Sequence, residues 1–146
     1  EACNELRGAF EASGIAGQAA AERFSEFASQ LQLTTKYGDD QIKSLASQLQ
    51  ALGNFTENGL KTATTAALDF AAFYGVDAAT AVTIFGKAAQ GEIGTLSRYG
   101  IKVKEGATNA ETFANVLEAV ARSQGAAERQ GQTFAGTLAK ISSIIF

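Results

Sequence analysis

An all-α fold is predicted for this chain of 146 residues by three features of its sequence. Proline, which breaks helices, is absent, whereas alanine, the strongest helix former, occurs 29 times. The alternation of apolar and polar residues that half-buried strands require is nowhere sustained. The length is sufficient for one domain with a real core. The predicted architecture is an N-terminal coiled-coil-like helical segment, residues 1–35, followed by a glycine-punctuated multi-helix segment, residues 36–146.

Charge and composition exclude several classes of protein. The net charge is −3, and residues 1–40 hold seven acidic and three basic side chains, a net of −4. Neither residues 1–40 nor the rest of the chain has the basic stripe that binding to a phosphate backbone requires, so no nucleic-acid partner is expected. No signal peptide is visible, and no apolar run approaches the roughly 20 residues that span a bilayer. Because the chain begins at Glu1 and ends inside an apolar run, we expect it to be part of a longer protein.

The first segment carries a heptad pattern. Its apolar or small residues are spaced alternately three and four apart, at Cys3, Leu6, Phe10, Ser13, Gly17, Ala20, Phe24, Phe27 and Leu31. This spacing is the period of a coiled-coil seam over about four heptads. It predicts self-association through Leu6, Phe10, Phe24, Phe27 and Leu31, with either two helical pieces or a soft joint near Gly14. The alternative is an amphipathic helix that packs on its own domain. If the segment is extended, it would act as a ruler at about 1.5 Å per residue.

Glycines and capping residues predict where the later helices begin and end. Each tyrosine directly precedes a glycine, and Gly38, Gly75 and Gly100 are therefore predicted helix stops with left-handed backbone. A further break is expected at Gly53. Helix starts are predicted at the side chains that commonly cap them, namely Asp39 or Asp40, Thr56, Asp77, and Thr108 with Glu111.

The central helix, from Asp77 to about Gln90, should bury one face only, because its apolar residues follow a 3.6-residue period. The preceding helix is apolar except for a narrow strip that contains Asp69. Two interpretations of Asp69 remain open. It is either a solvated side chain, or one partner of an ion pair with Arg98 or Lys87 that fixes how adjacent helices dock.

Residues that could support catalysis or metal binding are scarce. The chain has no histidine and a single cysteine, Cys3, so histidine-based triads and the usual zinc sites are excluded within it. The run Phe85-Gly86-Lys87 lacks the earlier glycine and the following hydroxyl residue of a phosphate-binding loop. No enzyme activity and no cofactor or metal are therefore expected.

A longer stretch resembles a known family. The run ALDFAAFYGVDAATAVTIFGKAAQGEIGTLSRYGIKVK is similar to a segment shared by many phage tail tape measure proteins. The matching residues are Asp69, Gly75, Gly86, Lys87, Ala88, Gly91, Leu96, Arg98, Gly100 and Ile101. A later match places the family's Gly-Ala-Ala and Thr-Phe-Ala-Gly patterns at residues 125–127 and 133–136. The resemblance extends over about residues 36–146.

This resemblance implies a structural function in the virion. Tape measure proteins occupy the lumen of the growing tail tube, set its length and leave ahead of the DNA at infection. The implied partners are further copies of the chain, in a trimer, together with the tail tube, the tail-tip or baseplate hub and the host envelope at ejection. The implied locations are the phage tail and, during assembly, the host cytoplasm. Two alternatives remain: a helical scaffold or adaptor module, and a membrane-perturbing helical domain.

Overall fold

The computed structural model describes residues 2–133, and within this range the regular structure is entirely helical. This confirms the predicted all-α fold. The α-helices are α1 (Ala2–Ala12), α2 (Gly17–Thr34), α3 (Asp39–Gly53), α4 (Glu57–Tyr74), α5 (Ala78–Ala88) and α6 (Asn109–Ala119). Short 3-10 helices occupy Gly94–Tyr99 and Ala121–Ser123, and residues 126–133, at the end of the described range, are also helical and are called here helix 126–133. The predicted stripe of Phe134, Leu138, Ile141 and Ile145 lies outside the described residues.

The heptad segment forms a helical hairpin. The chain turns between α1 and α2 at Gly14, which has a φ of 80°. The two helices are antiparallel, since Cys3 Sγ lies 4.0 Å from Ser25 Oγ near one end of the hairpin. Near the other end, a Cβ added to Gly17 would lie 2.7 Å from the carbonyl oxygen of Arg7. The joint predicted near Gly14 is therefore a reversal of direction, and the segment is not an extended ruler.

This hairpin changes the role of the predicted self-association seam. Leu6, Phe10 and Phe24 are fully buried in the chain's own core, while Phe27 and Leu31 are half-buried against it. The prediction that these residues form a self-association seam is wrong for the three buried ones, because the hairpin folds them onto α3 and onto each other. Apolar residues from both sides of residue 35 contribute to one continuous core, so the packing does not change at that position.

Helices α3 and α5 pack at close range in the middle of this core. Gly86 of α5 faces Leu52 of α3, and a Cβ added to Gly86 would lie 2.7 Å from the Cβ of Leu52. The predicted one-sided burial of α5 is confirmed, since its buried residues include Ala78, Ala81, Val82, Phe85 and Ala88. Small residues on α5 thus let two helix backbones approach each other.

The predicted glycine stops are confirmed at two positions of three. Gly75 and Gly100 follow Tyr74 and Tyr99 with φ values of 68° and 75°, in the left-handed region. Gly38 has a φ of −76° and a ψ of 157°, so it is extended and precedes α3 as its N-cap residue. Since α2 already ends at Thr34, no helix remains for Gly38 to stop.

Some of the predicted capping residues are confirmed and others are not. Thr56 Oγ1 accepts a hydrogen bond from the Gly59 amide, and Thr108 Oγ1 accepts one from the Glu111 amide, as expected. The carboxylate of Glu111 accepts from the amide of Ala107, one residue earlier than a standard capping box. Asp39 lies inside the first turn of α3, and the side chain of Asp77 makes no capping hydrogen bond. Local hydroxyl caps were therefore more predictable than aspartate caps.

Candidate functional site

Asp69 is unusual among the described residues because its acidic side chain is buried. It lies in α4 and only 4% of its surface is exposed. Asp69 Oδ2 accepts a hydrogen bond of 2.9 Å from the amide of Gly125, and Oδ1 accepts one of 3.0 Å from the amide of Ala127. One side chain of α4 thereby connects to a backbone segment that lies 56 and 58 residues later in the chain.

The two hydrogen bonds explain how helix 126–133 begins. Gly125 is its N-cap residue, because the carbonyl of Gly125 accepts from the amide of Arg129 at 3.1 Å. Glycine has no side chain with which to cap the free amides of the first turn. Asp69 supplies the missing acceptor from another helix, and its negative charge lies at the positive end of the helix dipole. The sequence signal was the pairing of a lone aspartate in an apolar helix with a helix start that has no capping residue.

Burial and hydrogen bonding act on the Asp69 carboxyl in opposite directions. Burial raises its pKa above the ordinary value, whereas the two amide hydrogen bonds and the positive charge of Arg129 lower it. The negative charge of Glu128 adds a smaller upward effect, and the net result is a raised pKa. Asp69 is therefore held by directed hydrogen bonds at an unfavourable desolvation cost, as expected for a residue that fixes the register between two segments.

The structure overturns both earlier interpretations of Asp69. It is neither solvated nor paired with the predicted cations. Within residues 2–133 the ion pairs are Arg23–Glu57 and Lys43–Asp40. Lys87 and Arg98 are exposed. Asp69 contacts the start of helix 126–133, and the helical period of α4 alone could not show which segment would cover this side chain.

A cleft of about 430 Å³ lies beside Asp69, between α2, α4 and the end of α6. Apolar atoms dominate its walls, which include Phe27, Ala66, Leu117 and Val120, and Thr62, Thr65 and Lys61 add polar groups. The ammonium of Lys61 lies 5.9 Å from the centre of the Phe27 ring. This geometry lets the lysine charge stay near water while its aliphatic stem covers the aromatic side chain.

A second cleft includes Gln130 of helix 126–133 in its wall. Its volume is about 600 Å³, and its walls include Lys36, Tyr37, Gln41, Gly75 and Gln130. Burial raises the pKa of the Tyr37 hydroxyl. The side-chain oxygen of Gln130 is buried and has no hydrogen-bond partner among the described residues. This part of the molecule is less completely packed than the α3–α5 contact.

Aromatic side chains connect the two glycine stops, an arrangement that sequence reasoning missed. Phe70 of α4 lies 4.6 Å from Tyr74, 5.0 Å from Tyr99 and 5.6 Å from Phe85, measured between ring centres. The pairs with Tyr99 and Phe85 are edge-to-face, and such pairs add about 0.5–1.5 kcal/mol each beyond simple burial. The tyrosines before Gly75 and Gly100 thus pack on the same phenylalanine, and they hold the ends of α4 and of the Gly94–Tyr99 turn together.

A buried glutamine near the C-terminal end of α3 connects two turns, and sequence reasoning also missed this contact. Gln50 is fully buried. Its amide nitrogen donates to Ser13 Oγ at 3.0 Å and to the carbonyl of Phe55 at 2.9 Å, and its oxygen accepts from the Phe55 amide at 3.1 Å. One side chain therefore joins the α1–α2 turn to the α3–α4 turn. No periodicity argument identifies such a contact, because both partners lie in loops.

The described residues contain no group of three or more potential metal ligands among histidine, cysteine, aspartate and glutamate. No helix within residues 2–133 is long and apolar enough to cross a membrane. Comparison with protein-family models, with curated proteins and with solved structures finds no match to this chain. The two hydrogen bonds that Asp69 accepts can hold α4 and helix 126–133 in a fixed register.

Proposed function

We propose that this chain is a compact module of a phage tail tape measure protein, and thus a structural component of the virion. The observation that carries the proposal is the ordered resemblance of residues 36–146 to that family. The roles of the matching residues support it. Asp69 caps a distant helix start, Gly86 permits close helix packing, and Gly75 and Gly100 end helices. Residues that cap, end and pack helices suit a structural protein.

The helical hairpin bears on the role that this module would have within a tape measure protein. An extended helix adds about 1.5 Å of length per residue, but two antiparallel helices that fold onto a core add much less. We therefore assign the module a role in shape, such as docking at the tail tip, and we assign length control to other parts of a longer chain. Deleting 14 residues around Gly14 should destroy the hairpin instead of shortening the tail in proportion.

The proposed partners follow from the same resemblance. They are further copies of the chain, as a trimer, the tail tube, the tail-tip or baseplate hub, and the host envelope at ejection. Because Leu6, Phe10 and Phe24 are occupied within the chain, association between copies has to use other surfaces. The proposed locations are the phage tail and, before assembly is complete, the host cytoplasm.

Mass spectrometry of purified particles tests this proposal. The expected result is that peptides from residues 36–133 co-purify with intact tails at a few copies per particle and are lost from particles that have ejected their genome. A soluble host protein added before purification is the control for contamination. Absence of these peptides from tails of the phage that encodes the chain would refute the proposal.

An adaptor or scaffold module is the second candidate function. The observation that favours it is the exposure of two large apolar side chains, Leu33 at 77% and Phe73 at 46%, which a partner protein could cover. Detection of the chain in host-protein complexes, but not in tails, would favour this candidate. The membrane-perturbing alternative predicts leakage of dye from lipid vesicles at micromolar protein, which neither structural candidate expects.

A further inference from the structure

We propose that residues 101–106, called here segment 101–106, form a docking edge for an extended acidic segment of a partner protein, which pairs with their backbone as an added β-strand. The segment lies between the Gly94–Tyr99 helix and α6, and it contains no helix, turn or bend. This inference concerns a surface of the fold and does not depend on the proposed function.

The side chains of segment 101–106 alternate between the core and solvent. Ile101 is buried and Val103 is half-buried against the core. Lys102 and Lys104, in contrast, are exposed. A two-residue period in a stretch without turns is that of an extended strand. The segment thus lies on the core with one face, and its opposite face carries two lysines.

One edge of the segment is attached to α6. In an extended strand, successive residues direct their backbone N–H and C=O groups to opposite edges. Among the even-numbered residues, the Lys104 carbonyl accepts a hydrogen bond of 2.8 Å from the side-chain amide of Asn115. The Gly106 amide donates to Thr112 Oγ1 at 2.9 Å. Because Asn115 and Thr112 both belong to α6, this edge is occupied.

The opposite edge has free backbone groups. The amides and carbonyls of Val103 and Glu105 make no hydrogen bond to any of residues 2–133. The Ile101 amide donates to the carbonyl of Leu96 at 3.2 Å, so the free part of this edge begins after Ile101. Val103 and Glu105 each present one donor and one acceptor there. An unpaired row of backbone donors and acceptors is the feature to which extended peptides add as a further strand.

The charge around this edge selects an acidic occupant. From Ile93 to Lys104 the chain has three basic side chains, Arg98, Lys102 and Lys104, and no acidic one. All three are exposed, and Glu105 at the end of the segment is its one opposing charge. Opposite charges that face each other across two strands stabilise the pair, and like charges destabilise it. A partner strand with acidic residues at alternate positions would therefore face the two lysines.

The same argument disfavours a second copy of the chain as the occupant. Two copies of segment 101–106 joined through the free edge would place Lys102 and Lys104 of both chains on one face of the pair. Like charges in such positions destabilise strand pairing. We therefore assign the edge to a different protein.

NMR titration of the full 146-residue chain with a peptide tests the docking edge. The probe has blocked ends, and glutamate alternates with valine over the length of the segment. We expect it to move the amide proton signals of Val103 and Glu105 downfield and to slow their hydrogen exchange at least about tenfold. Before its addition, these two amides should exchange faster than the hydrogen-bonded amide of Gly106. Protection of both amides in the free chain would overturn the inference.

Two further peptides separate strand pairing from attraction between charges. In the paired arrangement the valines of the probe lie opposite Val103, so their amides point toward the free edge, while the glutamate amides point away. A probe N-methylated at its valines should lose binding, whereas one N-methylated at its glutamates should retain it. Equal binding of the two N-methylated probes would mean attraction between charges without strand pairing and would overturn the inference.

A matched pair of variants tests the charge preference. Lys104→Glu should weaken binding of the glutamate probe at least about threefold. Lys36→Glu makes the same charge change beside Tyr37 and should leave the affinity nearly unchanged. Equal weakening by the two variants would show that only net charge matters, against the proposal. Protection of Val103 and Glu105 that rises with protein concentration, without any peptide, would identify a second copy as the occupant and would also contradict it.

Discussion

The contact between α3 and α5 and the contact between α4 and helix 126–133 hold helices together in opposite ways. Gly86 and Leu52 meet in a close apolar contact, where stability comes from the exclusion of water and from packing density. Asp69 holds helix 126–133 through two directed hydrogen bonds, at a desolvation cost and beside a cleft of about 430 Å³. A larger side chain at Gly86 would overlap Leu52 in the first contact. In the second contact, loss of the Asp69 carboxylate would leave two amides without their acceptor. The same chain thus combines a closely packed apolar core with a segment that is held by a clamp, the two hydrogen bonds to Asp69.

The largest effect is expected at the apolar contact. Gly86→Val should lower the free energy of unfolding by about 3 kcal/mol, because the new side chain would overlap the Leu52 side chain. Denaturant titration of the purified chain measures this loss. Gly8→Ala is the matched control: no atom lies within 4 Å of an added Cβ there, and alanine favours the helix. That control should stabilise by roughly 0.5–1 kcal/mol. A loss below 1 kcal/mol for Gly86→Val would contradict the close α3–α5 packing.

The next largest effect is expected at the polar contact. Asp69→Ala leaves the amides of Gly125 and Ala127 without their acceptor and should lower the free energy of unfolding by about 2 kcal/mol. Asp40→Ala, which removes an 87% exposed carboxylate, should change stability by less than about 0.5 kcal/mol. Thermal or denaturant unfolding of both variants gives the comparison. Equal, small losses would show that the clamp does not contribute to the folded state.

A stabilising substitution is available on α4. Thr64 is fully buried and its hydroxyl oxygen has no hydrogen-bond partner within the described part of the chain. Thr64→Val should therefore raise the free energy of unfolding by about 1 kcal/mol, because a desolvated polar group is replaced by a methyl group of similar size. Thr65→Val is the control, since Thr65 Oγ1 donates to the carbonyl of Lys61 at 2.9 Å. If Thr64→Val and Thr65→Val have the same free energy of unfolding, the Thr64 hydroxyl has a hydrogen-bond partner in solution.

The smallest effect is a pH dependence of the Asp69 clamp. Burial raises the pKa of Asp69 above the 3.8 of an ordinary aspartate, so the folded state binds this proton more tightly than the unfolded state. The corresponding stability is fully present below pH 3.8 and is lost as the pH rises through the folded-state pKa. The charges nearest the carboxyl, on Arg129 and Glu128, act on it in opposite directions.

The measurement for this prediction is the stability difference between the wild type and Asp69→Asn across acidic and neutral pH. The advantage of the wild type should be largest at low pH and should decrease toward neutral pH. An advantage that grows as the pH rises would mean that the two amide hydrogen bonds outweigh burial and lower the pKa instead.

The sequence by itself determined the helical class, most helix positions and several local devices. Hydrophobic periodicity located the buried face of α5, and hydroxyl caps at Thr56 and Thr108 and left-handed glycines at Gly75 and Gly100 were predicted correctly. These features depend on residues within one or two turns of each other, and their physical causes are steric limits on φ and the unpaired amides of a helix start. Such causes act in any tertiary context.

Tertiary structure alone decided where the apolar faces and the buried polar groups find their partners. A heptad pattern states that a helix has an apolar stripe, but a reversal at Gly14 turned this stripe onto the chain's own α3 instead of onto another copy. Asp69 accepts from amides 56 and 58 residues away, and Gln50 joins two loops. Hydrogen bonds between distant segments depend on how whole helices pack, and packing is selected by the total burial of the fold, which no local pattern encodes.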